Sequence, residues 1–167
     1  MHLRALTYRL CSSTILALIL AFSVAAKDPP QTIRETGLTL ADSLADSHKV
    51  VYVDFFASWC APCALSFPFM KQLHHQFADS GLTIIAVDLD KDSTEANEFL
   101  ERVRPPFNIV LDPEGDLAKK FDLKAVPSSF IFGRDGTLRE SHRGFVPSDS
   151  QTLRTRVEEL LKEQRKP

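Results

Sequence analysis

The chain has 167 residues, of which 44% are hydrophobic and 25% are charged, and its formal net charge is −2. This ordinary globular composition excludes a disordered chain, a collagen-like repeat and a coiled coil. The small net charge gives no basic surface for non-specific nucleic-acid binding, and three cysteines are too few for a disulfide scaffold. Length and composition therefore predict one globular domain that does not bind nucleic acid.

Residues 1–26 predict a secretory signal peptide. They include Arg4 and Arg9 but no acidic residue, and an apolar stretch at Thr14–Ala26 ends in small side chains. The alternative is a membrane anchor that stays attached, but this stretch is shorter than the roughly 18 residues needed for a span. After cleavage, the mature chain would have no predicted membrane span. Cys60 and Cys63 would remain as a single pair in an oxidising compartment.

Strand and helix patterns alternate in the rest of the chain. Residues 27–37 form a polar lead-in, and residues 38–167 form the predicted domain. Short apolar runs predict strands covered on both faces, and apolar residues at helical spacing predict helices. In chain order, the elements are a helix at Leu38–Leu44, a strand at Val50–Phe56, a helix at Cys60–Phe77 with Pro68 inside it, a strand at Leu82–Val87, a helix from Ser93 to Val103 opened by an Asp92 capping box, a strand at Asn108–Leu111, a helix at Glu114–Phe121, a hairpin at Ser129–Ser141, and a final helix capped by Ser148 with Gln151. This order predicts an α/β sandwich with a central mixed sheet flanked by helices.

The chemistry is predicted at Trp59-Cys60-Ala61-Pro62-Cys63, between the first strand and the helix that follows it. Cysteines at positions i and i+3 of a helix have Cα atoms about 5 Å apart, which a disulfide can bridge. The helix amino terminus favours a Cys60 thiolate through its dipole and its free N–H groups. This placement predicts a redox-active pair.

The sequence fits the other known uses of a CxxC pair, such as zinc binding and haem attachment, less well. Zinc needs further ligands, but there is no second cysteine pair, and His74 and His75 are adjacent in sequence. Haem attachment would need histidine directly after Cys63, where Ala64 stands. An inert structural disulfide remains an alternative. The sequence predicts no metal and no cofactor.

Asp54 is a carboxylate inside an apolar strand. Loss of hydration should raise its pKa and let it exchange a proton near the cysteine pair, six residues further along the chain. The alternative is an aspartate that forms structural hydrogen bonds with nearby backbone.

Several segments resemble thioredoxins. The active-site segment of that family resembles Val53–Cys63, and Pro68 falls where thioredoxins kink the active-site helix. The family's cis-proline loop is similar to Phe121–Ser128, and Gly144 resembles the glycine that flanks the substrate groove. The extra helix and strand at Ser93–Leu111, with the signal peptide, look more like the periplasmic TlpA/ResA group than like cytosolic thioredoxin.

This resemblance implies a thioredoxin-like sandwich with a helix–strand insertion. On sequence alone, Pro127 reads as an ordinary trans-proline at a strand start, whereas the resemblance implies a cis bond after Val126. It also implies that Val126, Pro127 and Gly144 hold an extended partner chain and that Trp59 shields the site.

The implied activity is thiol–disulfide exchange with protein substrates. Cys60 would attack a partner disulfide, and Cys63, deprotonated with help from Asp54, would release the reduced partner. Because Ala61-Pro62 supplies no histidine between the cysteines, we expect a reductase and not an oxidant. A periplasmic reductase of this kind implies a membrane-borne electron donor.

Two positions depart from the family pattern. Proteins of the ResA type that serve cytochrome c maturation carry glutamate where Ser66 stands here, which argues against an apocytochrome-specific role. The lysine that thioredoxins place near the buried aspartate corresponds to Ala86, so Asp54 should have another electrostatic partner.

Two alternative functions come from other classes. A thioredoxin-fold copper-delivery module would use both cysteines and a distant histidine, for which His142 is the candidate near the predicted groove. Such modules usually space their cysteines by three residues. A non-catalytic interaction module would not need both cysteines and a buried acid together.

Overall fold

Five strands form one sheet in the structure, a computed structural model that describes residues 40–46 and 48–163. They are β1 (Val50–Phe56), β2 (Leu82–Asp88), β3 (Asn108–Leu111), β4 (Ser128–Phe132) and β5 (Leu138–Arg143). The order is β3-β2-β1-β4-β5, with parallel pairing among the first three and antiparallel pairing of β4 with β1 and β5. The predicted mixed sheet is confirmed. The predicted signal peptide and the lead-in lie outside the described residues.

Five helices cover the sheet: α1 (Leu40–Ala45), α2 (Ala61–Phe77), α3 (Ser93–Val103), α4 (Asp116–Lys120) and α5 (Asp149–Lys162). The helices α2, α3 and α5 pack on one face, and α1 and α4 pack on the other. The helix α3 and the edge strand β3 form the predicted insertion. In the part of the chain that the structure describes, no helix has both the length and the apolar character to cross a membrane.

The alternating side chains of β1 divide the core into two clusters. Tyr52 and Phe56 pack with the active-site helix on one face, and Val53 and Phe55 pack on the opposite face. All seven residues of β1 are buried. The central strand is therefore covered on both sides, as its continuous apolar run predicts.

An aromatic cluster joins α2, α3 and the sheet. The Phe67 ring lies 4.9 Å from Phe56, 5.1 Å from Phe99 and 5.9 Å from Phe107, measured between ring centroids. Because Phe67 belongs to the same helix as the cysteine pair, this cluster fixes the helix against the sheet. The inserted helix α3 thus packs, through Phe99, against the helix that follows Cys60.

Two predicted helix starts and one predicted capping bond need correction. Cys60 is the N-cap of α2, so the helix begins at Ala61. The short helix α4 begins at Asp116 and not at Glu114, because Gly115 precedes it with a φ of 71°, in the left-handed region. Ser148 is the N-cap residue of α5, as expected, but its side chain makes no capping hydrogen bond.

We predict that Phe67→Ala lowers the free energy of unfolding by about 3–5 kcal/mol, because it opens a cavity among three packed rings. Denaturant unfolding measures this loss. Leu138→Ala is the matched control, since Leu138 is 51% exposed and its truncation should change stability by no more than about 0.5 kcal/mol. Equal effects of the two variants would contradict the assigned role of the cluster.

Candidate active site

A tight turn carries the chain from β1 into α2. The backbone N–H of Cys60 donates to the carbonyl of Ala57 at 3.1 Å, so Ser58 and Trp59 occupy the centre of this turn. Pro62 lies in the first helical turn, where its missing N–H leaves no hydrogen bond unmade. The turn places the cysteine pair at the edge of the sheet where the carboxyl end of β1 lies.

Cys60 and Cys63 form a disulfide with Cα atoms 5.3 Å apart. The backbone N–H of Cys63 donates to Cys60 Sγ at 3.2 Å, which is the N-cap hydrogen bond of α2. In the reduced protein, the same N–H and the helix dipole would stabilise a Cys60 thiolate. The geometry therefore distinguishes the two sulfurs chemically.

Cys60 is only slightly more exposed than Cys63. Cys60 is 5% exposed, whereas Cys63 has no exposed surface. Trp59, next to Cys60, is 69% exposed. A partner can approach Cys60 from solvent, but it cannot reach Cys63 without a rearrangement.

Asp54 lies in the middle of β1 and is completely buried. By the alternation of the strand, it shares a face with Tyr52 and Phe56, whose cluster contains both cysteines. Burial raises the pKa of Asp54 from its ordinary value to about 7, and a hydrogen bond from Ser129 partly opposes this shift. The predicted upward direction is confirmed.

Ser129 is the hydrogen-bond partner of Asp54. Its hydroxyl donates to Asp54 Oδ1 at 2.8 Å and accepts from the Tyr52 hydroxyl at 2.8 Å. The second carboxyl oxygen, Oδ2, has no hydrogen-bond partner among the described residues. The carboxyl group is thus held through one oxygen, and the other oxygen is free to carry a proton.

The two departures from the family pattern, at Ala86 and Ser66, have distinct structural consequences. Ala86 lies directly beside Asp54 in the β1–β2 register, so an apolar side chain occupies the position that the resemblance assigns to a lysine. Ser129 lies beside Asp54 on the other side, in the β1–β4 register. Ser66 is buried, and its hydroxyl donates to the Cys63 carbonyl at 2.9 Å, so it is occupied within the helix.

The loop before β4 lies at the same end of the sheet as the cysteines. The Val126–Pro127 peptide bond is cis, which confirms the expectation from the resemblance. Because Ser128 pairs with Phe55, this loop reaches the end of β1 from which the active-site turn leaves. Gly144, with a φ of 77°, donates its N–H to the Pro127 carbonyl at 2.7 Å. The structure therefore places Pro127 and Gly144 next to each other.

His142, the candidate histidine of the copper-delivery alternative, is paired with Asp149. The His142 Nε2 atom lies 3.1 Å from Asp149 Oδ2, and Asp149 also accepts from the Val146 N–H at 2.8 Å. Within residues 40–46 and 48–163, no three His, Cys, Asp or Glu side chains group as they would around a metal ion.

Three polar residues of this region were missed by sequence reasoning. They are Tyr52 and Ser129 beside Asp54, and Asp90, which bonds to Ser58 in the active-site turn. Signals existed for Tyr52, which lies two positions before Asp54 on the same face of β1, and for Asp90, because the carboxyl ends of parallel strands meet at one edge of a sheet. The pairing of β1 with β4 that brings in Ser129 has no local signature.

A disulfide at a helix amino terminus, with a cis-proline loop at the same end of a five-stranded mixed sheet, is the arrangement of a thioredoxin-fold protein. The family model for Redoxin matches residues 25–158, well over half of the sequence. The chain belongs to the Redoxin family.

Relatives and solved structures agree with this assignment. The chain is 27% identical over 114 residues to the thiol-disulfide oxidoreductase ResA of Bacillus thuringiensis subsp. konkukian, covering 68% of this chain and 62% of that protein. It is 32% identical over 126 residues to the thiol:disulfide interchange protein CycY of Rhizobium leguminosarum bv. viciae, covering 75% and 65%. A Chlorobium tepidum crystal structure described as a thiol:disulfide interchange protein DsbE superposes with a TM-score of 0.70 at 35% identity, covering 74% and 86%. The chain therefore spans less than two thirds of the length of these sequence relatives.

We predict that Ser129→Ala raises the pKa of Asp54 above its wild-type value near 7, because the carboxylate loses its one hydrogen-bond donor. Carbon-detected NMR of the Asp54 carboxyl across a pH titration measures the shift. Ser128→Ala is the matched control, since its hydroxyl bonds to the Ala125 carbonyl and not to Asp54. An unchanged titration midpoint in Ser129→Ala would refute the assigned partner.

Proposed function

We propose that this protein is an exported thiol–disulfide oxidoreductase that reduces disulfides in partner proteins. The observation that carries the proposal is the Cys60–Cys63 disulfide at the amino terminus of α2, with Cys60 Sγ bonded to the Cys63 N–H. Membership of the Redoxin family and similarity to proteins named thiol-disulfide oxidoreductase support it.

The reaction begins with the reduced protein. The Cys60 thiolate attacks one sulfur of a partner disulfide, forming a mixed disulfide and releasing the other partner sulfur as a thiolate. Cys63 then loses its proton and attacks Cys60 Sγ, which expels the second partner sulfur. The partner gains two electrons and its thiolates take up protons, while the enzyme is left with the Cys60–Cys63 disulfide.

Asp54 is proposed to accept the proton from Cys63. Cys63 is completely buried, so water cannot reach its thiol directly. A carboxyl group with a pKa of about 7 is partly ionised at neutral pH, so it can take up a proton and later release it. Its unpartnered Oδ2 is the oxygen available for this transfer.

The surface around Cys60 suits an apolar partner segment. No charged residue occurs between Asp54 and Lys71 in the sequence, and Trp59 and Leu65 are 69% and 55% exposed. The Val126–Pro127 loop and Gly144 lie at the same end of the sheet and are proposed to align the partner backbone. The segment that carries Cys60 thus contributes no charged side chain to the surface that a partner meets.

The direction of electron flow and the location are part of the proposal. Ala61 and Pro62 supply no positive charge between the cysteines, which favours a reducing pair over an oxidising one. A membrane-borne donor would return electrons to Cys60–Cys63 after each cycle. The basic and apolar segment at residues 1–26 supports export to the periplasm, and the family match begins at residue 25, near its end.

We predict that the mature protein accelerates the reduction of insulin disulfides by dithiothreitol and that Cys60→Ser returns the rate to that of dithiothreitol alone. The turbidity of precipitating insulin chains measures the rate. His142→Ala should retain the wild-type rate, because this residue has no part in the exchange. A wild-type rate equal to the reductant alone would contradict a general reductase.

Isothermal titration with Cu(I) examines the copper-delivery alternative, which tight binding by the wild-type protein and weaker binding by His142→Ala would favour. The Cys63→Ala variant should accumulate the mixed disulfide with its partner, because the resolving thiol is absent. Recovery of that adduct by mass spectrometry identifies the partner.

We predict that the stability of the wild-type protein falls as the pH rises from 4 to 7. Folded Asp54 holds a proton across this range that unfolded Asp54, with a pKa of 3.8, releases, so deprotonation favours unfolding. The shift corresponds to about 4 kcal/mol at most. Asp54→Asn should reduce this loss and also slow resolution of a mixed disulfide, as measured by denaturant midpoints and stopped flow.

Part of the pH dependence should remain in Asp54→Asn, because burial also raises the pKa of Asp88. Asp116→Asn is the control, since Asp116 is exposed in a surface ion pair with Lys119. A lower midpoint at every pH with unchanged resolution would identify Asp54 as a structural hydrogen-bonding residue.

A further inference from the structure

The turn that delivers Cys60 is held by a side chain from a different strand. Asp90, two residues beyond β2, accepts the Ser58 backbone N–H on Oδ2 at 2.7 Å and the Ser58 hydroxyl on Oδ1 at 3.0 Å. Both carboxyl oxygens therefore bind the residue two positions before the nucleophile. Hydrogen bonds to an ionised carboxylate are stronger than those between neutral groups.

Asp90 is itself fixed to the sheet. Its backbone N–H donates to Asp88 Oδ1 at 3.0 Å, and the neighbouring Leu89 N–H donates to the Phe56 carbonyl at 3.0 Å. The Asp88 carbonyl in turn accepts from the Asp112 N–H at 2.8 Å. The loop after β2 is thus anchored to the ends of β1 and β3, so Asp90 is a rigid support.

Keeping these carboxylates buried is unfavourable for folding. Asp88 is 1% exposed and Asp90 is 9% exposed, and Asp88 Oδ2 has no hydrogen-bond partner within the described ranges. Burial and the nearby Asp90 carboxylate raise the pKa of Asp88. Apolar residues at these two positions would make the fold more stable. Buried acids that lower stability are expected at functional sites.

We infer that Asp90 is a positioning residue that holds the Ala57–Cys60 turn so that Cys60 Sγ stays aligned with the Cys63 N–H. The inference rests on the proposed function of the cysteine pair. Without the two bonds to Ser58, the turn would sample other conformations, and the two sulfurs would meet less often. The effective concentration of one cysteine near the other depends on such alignment.

The test separates geometry from charge. Asp90→Asn removes the charge but can still accept from the Ser58 N–H and donate to the Ser58 hydroxyl, whereas Asp90→Ala loses both contacts. Asp92→Ala removes the same charge two residues away, where Asp92 caps α3 by accepting from the Thr94 N–H. It controls for charge loss and for general destabilisation.

Two readouts use the single tryptophan of the chain, Trp59, which lies inside the turn. Its fluorescence anisotropy in the reduced protein reports the mobility of the turn. Its emission follows equilibration of the cysteine pair with glutathione, which gives the equilibrium constant for disulfide formation. For Asp90→Ala, we expect lower anisotropy and an equilibrium constant lower by about tenfold than for Asp90→Asn.

Asp90→Asn and Asp92→Ala should both retain the wild-type anisotropy. Equal values for Asp90→Ala and Asp90→Asn would overturn the inference, as would a lower unfolding midpoint in Asp90→Ala without any change in the two readouts. Neither readout requires a partner protein, so failure of insulin reduction would not be mistaken for failure of this proposal.

Discussion

The complete burial of the central strand β1 is the constraint on which the rest of the site depends. Both faces of β1 are covered, so all seven of its residues are excluded from water. Any chemistry linked to this strand must occur either inside it, at low dielectric, or where it ends at the surface. The chain uses both places: Asp54 lies inside the strand, and the active-site turn begins directly after Phe56.

These two placements act on charge in opposite ways. At the end of the strand, the Cys63 N–H and the dipole of α2 favour negative charge on Cys60. Within the strand, loss of hydration disfavours negative charge on Asp54. The first effect prepares a nucleophile, and the second keeps a proton acceptor near its neutral form. Their separation by a single turn of backbone lets one short segment supply both groups.

The support of the buried acid distinguishes this chain from the thioredoxins that it resembles. Where the resemblance places a lysine, Ala86 leaves an apolar neighbour, and the Ser129 hydroxyl bonds to Asp54 from the opposite strand. A neutral donor stabilises a carboxylate less than an ammonium group does. Asp54 is therefore held closer to its protonated form than an ion pair would allow. Ser66 likewise stands where ResA-type proteins carry glutamate. Its hydroxyl donates to the Cys63 carbonyl.

The sequence by itself determined the cysteine pair, its place at a helix start, the strand containing Asp54 and the order of the elements, because each depends on residues close together in the chain. The capping hydrogen bond expected from Ser148 is not formed, and the helix expected from Glu114 begins at Asp116, since capping depends on backbone angles that composition does not fix. Tertiary structure alone decided the partners of the site. Ser129 reaches Asp54 across 75 positions and Asp90 reaches Ser58 across 32, and only the pairing of the strands brings such residues together.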